Sequence, residues 1–128
     1  MRRRERQIYH PDNVIALHGK GGRNMPKCKI TVLKKTMNRD LAQKYIKNKV
    51  GPCSKFKVGD EFITTLEKPK GFCEWAWAEL FPYIMTLLAG GNFSKGMFEG
   101  WMKSDNALII CCTDGIRPVI FKIERVDD

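Results

Sequence analysis

Five cysteines, Cys28, Cys53, Cys73, Cys111 and Cys112, are the residues of this sequence best suited to chemistry. Thiolates are soft ligands that select zinc and related thiophilic metals, and they are the nucleophiles of redox chemistry. Cys53 follows Gly51-Pro52 and Cys73 follows Gly71-Phe72, so both belong to loops where a sulfur can face a ligand. Spacing limits the metal reading. Structural zinc sites pair ligands roughly two to four residues apart, and only Cys111 and Cys112 are close in sequence. Adjacent residues of a strand point to opposite faces, so at most one of that pair can join Cys53 and Cys73 without a bulge. The candidate thiol site is therefore Cys53, Cys73 and Cys112, with Cys111 as the fourth candidate ligand and zinc or another thiophilic metal as cofactor. Cys73 has one further claim, because it precedes a long helix whose dipole favours a thiolate at its N-terminus. The competing account is that buried cysteines serve as small apolar core residues.

Two other groups of residues invite chemistry. Trp75 and Trp77 stand two apart, and such residues on a helix do not share a face. One is expected to enter the core while the other lines a pocket rim or an interface. Asp114 and Arg117 cluster at a hairpin tip beside Cys112, where a carboxylate, a guanidinium and a thiol can line a polar site; the simpler account is a turn with an internal ion pair. Neither glycine-rich stretch, at residues 18–22 or 90–96, has the spacing of a phosphate-binding loop, and no Cys-x-x-Cys, nucleophile elbow or zinc-protease helix is present. No catalytic motif is recognisable.

The elements that position these residues can be read from periodicity. Residues 27–34 alternate Cys28, Ile30 and Val32 against Lys29 and Thr31, the pattern of a half-buried strand. A short helix capped by Asn38 or Asp40 runs to about residue 48, with Leu41, Ala42, Tyr45 and Ile46 on one face. Val58-Gly59-Asp60 and Lys68-Pro69-Lys70-Gly71 are turns around a strand at 61–65. Residues 74–89 are apolar on nearly every side, which predicts a buried helix or one shared with a second subunit; Pro82 is expected to kink it or to begin a second helix. Gly90-Gly91 supplies the C-cap, and a helical turn is expected around 97–102. The uninterrupted apolar run at 107–112 predicts a strand covered on both faces, and Thr113-Asp114-Gly115 turns the chain into a last strand at 119–126. The expected fold is α+β, a small mostly antiparallel sheet whose C-terminal hairpin packs on a buried apolar helix.

Composition sets the outer limits. Apolar residues form 43% and charged residues 29% of the 128, enough for one hydrophobic core and too apolar for disorder. The longest apolar stretch, 75–91, is interrupted by Glu79 and Pro82 and falls short of the roughly 20 residues needed to cross a bilayer. An odd number of cysteines and no apolar segment behind the N-terminal arginines point to reduced thiols in a cytoplasm. The net charge of +9 draws +4 from residues 1–24 alone, which hold six basic and two acidic residues; the rest is scattered, which weakens a nucleic-acid reading. That leader differs in composition from the remainder of the chain and contains both histidines, His10 and His18. Two readings of it stand side by side, a flexible basic arm or a translated leader before a true start at Met25, leaving one α+β domain over 25–126.

From Met25 onward the sequence resembles a family of small bacterial and archaeal proteins with no assigned function. The resemblance rests on the stretches 29–34, Gly51-Pro52-Cys53, 56–62, Gly71-Phe72-Cys73 with Trp75-Ala76-Trp77, Gly90-Gly91-Asn92-Phe93, and the long ending at 111–125 that begins Cys111-Cys112-Thr113-Asp114-Gly115. It implies Met25 as the natural start and carries over no catalytic or binding residue.

Two functional expectations result. One is a binding or assembly module, homo-oligomeric through the apolar helix that begins at Trp75. The alternative is a thiol-centred redox or metal-binding protein that uses Cys53, Cys73 and Cys111 or Cys112.

Overall fold

A computed structural model describes residues 26–126. The leader, Met25 and both histidines fall outside the described residues. The order of elements is β1 (Lys27–Lys35), α1 (Arg39–Tyr45), β2 (Glu61–Thr64), α2 (Glu74–Leu88), a 3-10 turn (Gly96–Phe98), β3 (Ala107–Cys111) and β4 (Val119–Val126). The strands form one antiparallel sheet in the order β2-β1-β4-β3, with α2 packed across one face. This is the expected α+β architecture with the β3–β4 hairpin against the long helix. Among the described residues no helix is long and apolar enough to cross a membrane.

The period-two pattern of the two central strands builds the core. Cys28, Ile30 and Val32 of β1 and Val119, Phe121 and Ile123 of β4 are all buried on the face that meets Ala76, Leu80, Ile84 and Leu87 of α2. A bulge at Leu33 shifts the register between Val32↔Phe121 and Lys34↔Ile120. The turn at 57–60 docks there: the Val32 amide donates to the Asp60 carbonyl at 2.9 Å and the Gly59 amide to the Val32 carbonyl at 2.8 Å.

Helix α2 ends in a Schellman cap, with the Gly91 amide donating to Thr86 O and the Gly90 amide to Leu87 O. Gly90 has φ +94°, and a Cβ at Gly91 would lie 2.7 Å from Thr86 Cγ2, so both glycines are required. Arg125 Nη1 donates to the Leu87 carbonyl at 3.0 Å and ties this end to β4.

Four expectations are corrected by the structure. β3 is an edge strand, not one covered on both faces; Ile109 and Cys111 face outward from the sheet because, among the described residues, only the opposite face carries a helix. Helix α1 stops at Tyr45, and only Ala42 of its apolar side is buried, since among the described residues no element packs on Leu41, Tyr45 or Ile46. Asn38 occupies the N-cap of α1 as expected, but without a side-chain capping bond; its side-chain amide instead donates to Gly115 O at 2.7 Å. Helix α2 runs unbroken through Pro82 and buries one face only, leaving Trp75, Tyr83 and Met85 exposed.

Two measurements check this core. Leu80→Ala should cost about 2–5 kcal/mol in urea unfolding, the usual loss for a fully buried leucine. Burial pushes the Cys28 thiol up to about 12, whereas the unfolded thiol ionises near ~8.5. The folded chain therefore holds one more proton between those values, and stability should fall as pH rises through that window, by at most about 1.4 kcal/mol per pH unit. Cys28→Ala should lower stability at neutral pH and flatten this alkaline slope.

Candidate functional site

The site begins with phenylalanines in loops. Phe56 and Phe72 lie outside any helix or strand, yet both are buried, with ring centroids 5.1 Å apart. Each packs on Phe121 of β4, at 5.2 and 5.9 Å, and Phe62 of β2 closes the cluster at 6.0 and 4.9 Å from Phe56 and Phe72. Burying these rings is worth several kcal/mol and fixes two loops that local structure alone would leave free. Cys53 lies three residues before Phe56, and Cys73 follows Phe72 directly. Aromatic packing on β4 thus carries both thiols to the end of the sheet where Cys112 begins the β3–β4 loop.

Hydrogen bonds tighten each approach. Lys35 Nζ donates to the Phe56 carbonyl at 2.9 Å. Pro69 to Phe72 forms a turn closed by the Phe72 amide on the Pro69 carbonyl, with Gly71 at φ +77°, the conformation a type II turn asks of its third residue. Lys68 Nζ donates to Phe72 O at 2.8 Å and pairs with Glu74 at 3.5 Å, which fastens this turn to the first residue of α2. Cys73 is the N-cap of α2, with no side-chain capping bond. Its sulfur is thus not committed to the helix end.

The hairpin loop is held from the other side. The Thr36 amide and hydroxyl donate to Pro118 O at 2.9 and 2.8 Å, and the Asn38 backbone amide donates to Ile116 O at 2.7 Å. Within the loop Asp114 Oδ1 accepts from the amides of Ile116 and Arg117, and Asp114 Oδ2 accepts from Arg117 Nε at 3.0 Å. Partial burial opposes ionisation of Asp114, but the hydrogen bonds from Arg117 and Ile116 together outweigh it and hold the carboxyl below its usual range. The same bond to Asp114 raises Arg117. The turn and the ion pair are thus both present.

These three approaches enclose a cleft of about 340 Å³. Cys53, Cys73 and Cys112 line it, as do Asp114 and Arg117, and Trp75 stands at its rim, 65% exposed. Five lining residues have no signal in the sequence pattern: Lys55, Phe56, Glu74, Ala76 and Val119. Only Lys55, Glu74 and Ala76 stand within two residues of a cysteine or Trp75 in the sequence. Cys53 Sγ accepts from the Lys55 amide and Cys112 Sγ from the Val119 amide, both at 3.4 Å. Cys111 is turned away onto the exposed outer face, and burial, Cys112 and Glu79 raise its thiol. Trp77 packs on the core beside Phe72 and Phe81 and does not line the cleft. Cys28 is a core residue on β1.

The candidate metal centre of Cys53, Cys73 and Cys111 or Cys112 is not assembled. Cys111 lies on the wrong face, and among the described residues no three Cys, His, Asp or Glu side chains are grouped to hold a metal ion. What the cleft offers is an apolar floor of Phe56, Ala76 and Val119, three free cysteines, and four charged side chains at its border, Lys55, Arg117, Glu74 and Asp114.

Asp114→Asn should destabilise the protein by about 1–2 kcal/mol at pH 7, as expected for a charge-assisted hydrogen bond. Because the folded carboxyl ionises below its unfolded value of about 3.9, the wild-type advantage should be complete above that pH and vanish as pH falls through the lower, folded value. Paired acid unfolding curves of the two proteins check both points.

The chain matches no family model, no curated protein and no solved structure.

Proposed function

We propose that the protein is a small-molecule-binding module and that this cleft is its binding site. The observation that carries the reading is convergence: Cys53, Cys73, Cys112, Asp114 and Arg117, drawn from three separate loops, line one concave and mostly apolar cavity. Its volume is at the low end of the range typical of small-molecule sites, roughly 300–1,000 Å³. Polar groups few in number beside apolar walls are what such sites use to orient a ligand. The outward side of α2, with Trp75, Tyr83 and Met85, is the surface on which assembly with a second copy would rest. Trp75 also lines the cleft, which favours ligand binding as the primary role.

The test is a fragment screen by amide NMR on the full chain. Binding fragments should shift the resonances of residues around Cys53, Cys73, Cys112 and Arg117, and prior alkylation of the accessible thiols with N-ethylmaleimide should abolish those shifts. Fragments that bind only elsewhere, or shifts unaffected by alkylation, would contradict the reading.

A second reading, thiol chemistry at the same cleft, is favoured by the three free cysteines that line it. It predicts that Cys53, Cys73 or Cys112 reacts with iodoacetamide faster than the outward Cys111. Uniformly slow cleft thiols would end it.

A further inference from the structure

We infer that the ligand of this cleft is a monoanionic organic acid, its carboxylate held between Lys55 and Arg117 and its apolar body laid against Trp75 and Phe56. The inference rests on the binding reading above and names the chemistry of the ligand. Four charged side chains border the cleft: Lys55, Arg117, Glu74 and Asp114. Glu74 is engaged by Lys68 at 3.5 Å, outside the lining. Asp114 uses one oxygen on backbone amides and the other on Arg117 Nε.

The two cations are less occupied. The Lys55 ammonium has no ion pair or hydrogen bond among the described residues, and Arg117 engages Asp114 through Nε alone, so its two terminal amino groups remain donors. Those amino groups form the half of the guanidinium suited to a carboxylate. Once Asp114 is set against Arg117, and Glu74 against Lys68, one positive charge at the cleft is uncompensated, that of Lys55. A single negative charge balances it. A dianion such as a phosphate monoester would bring a second charge against Asp114.

The remaining wall selects the body of the molecule. Phe56, Ala76 and Val119 are buried apolar residues. The thiols of Cys53, Cys73 and Cys112 are polarisable and weakly polar, good partners for an aromatic or aliphatic group and poor ones for a sugar.

The experiment is an amide NMR titration of the full chain with phenylacetate, phenylacetamide and phenyl phosphate. Phenylacetate should bind at the cleft at least tenfold more tightly than phenylacetamide and no more weakly than phenyl phosphate. Lys55→Gln should reduce that preference at least threefold, and Arg117→Lys should weaken phenylacetate binding by loss of the fork. Lys55 is exposed, so its replacement tests the charge without risk to folding, whereas Arg117 is tied to the turn. Equal affinity for acid and amide, or a preference untouched by Lys55→Gln, would overturn the inference and leave the binding reading standing. Tighter binding of phenyl phosphate would also overturn it. If no probe shifts cleft resonances while the fragment screen finds other ligands there, the acid class is wrong; if neither does, both readings fall.

Discussion

The packing of Phe56 and Phe72 on Phe121 is the interaction on which the rest of the cleft depends. Sheet and helix alone would give a stable two-layer core, since Ile30, Val32, Val119 and Ile123 already face Leu80, Ile84 and Leu87. They would not bring residue 53 near residue 112. That proximity is created by two aromatic side chains from loops, each with a large apolar area that it buries against Phe121 of β4 and Phe62 of β2. The loops have little regular structure, so the aromatic contacts and two lysine clips do what secondary structure does elsewhere: Lys35 on the Phe56 carbonyl, and Lys68 on both the Phe72 carbonyl and Glu74.

The same constraint explains why the thiols differ from one another. Cys28, on the inner face of a central strand, is sealed and its ionisation is suppressed. Cys111 and Cys112 are neighbours in sequence but are parted by the pleat, one to the open outer face and one to the cleft. Cys53 and Cys73 reach the cleft because each adjoins an anchored phenylalanine. Chemical identity is the same in all five; environment sorts them into core, surface and site.

Much of the frame was legible from sequence and much of the site was not. The alternation of Cys28, Ile30 and Val32, the Gly90-Gly91 cap and the turn at Asp114 are local signals, and local geometry obeyed them. The run from Ala107 to Cys112 reads as a doubly covered strand because an apolar run carries no sign of which neighbours it will have. Sheet order is decided by long-range pairing, and here it leaves β3 at an edge. Helix α2 reads as apolar all round, yet one layer of sheet covers only one of its faces. The cysteine candidates could be named from their loop positions and the pleat rule, whereas Lys55 and Glu74 are indistinguishable in sequence from any surface charge. Only the fold places them at the cleft.

If one aromatic cluster holds three cysteines at one cleft, mass-spectrometric thiol labelling of the wild type and Phe121→Leu under native conditions will show it. Loosening the cluster should change the labelling rates of Cys53, Cys73 and Cys112 together, while Cys28 stays protected and Cys111 keeps its wild-type rate. Unchanged cleft rates, or rates that move independently with Cys28 still protected, would show that the three thiols do not share a common support and would contradict the account.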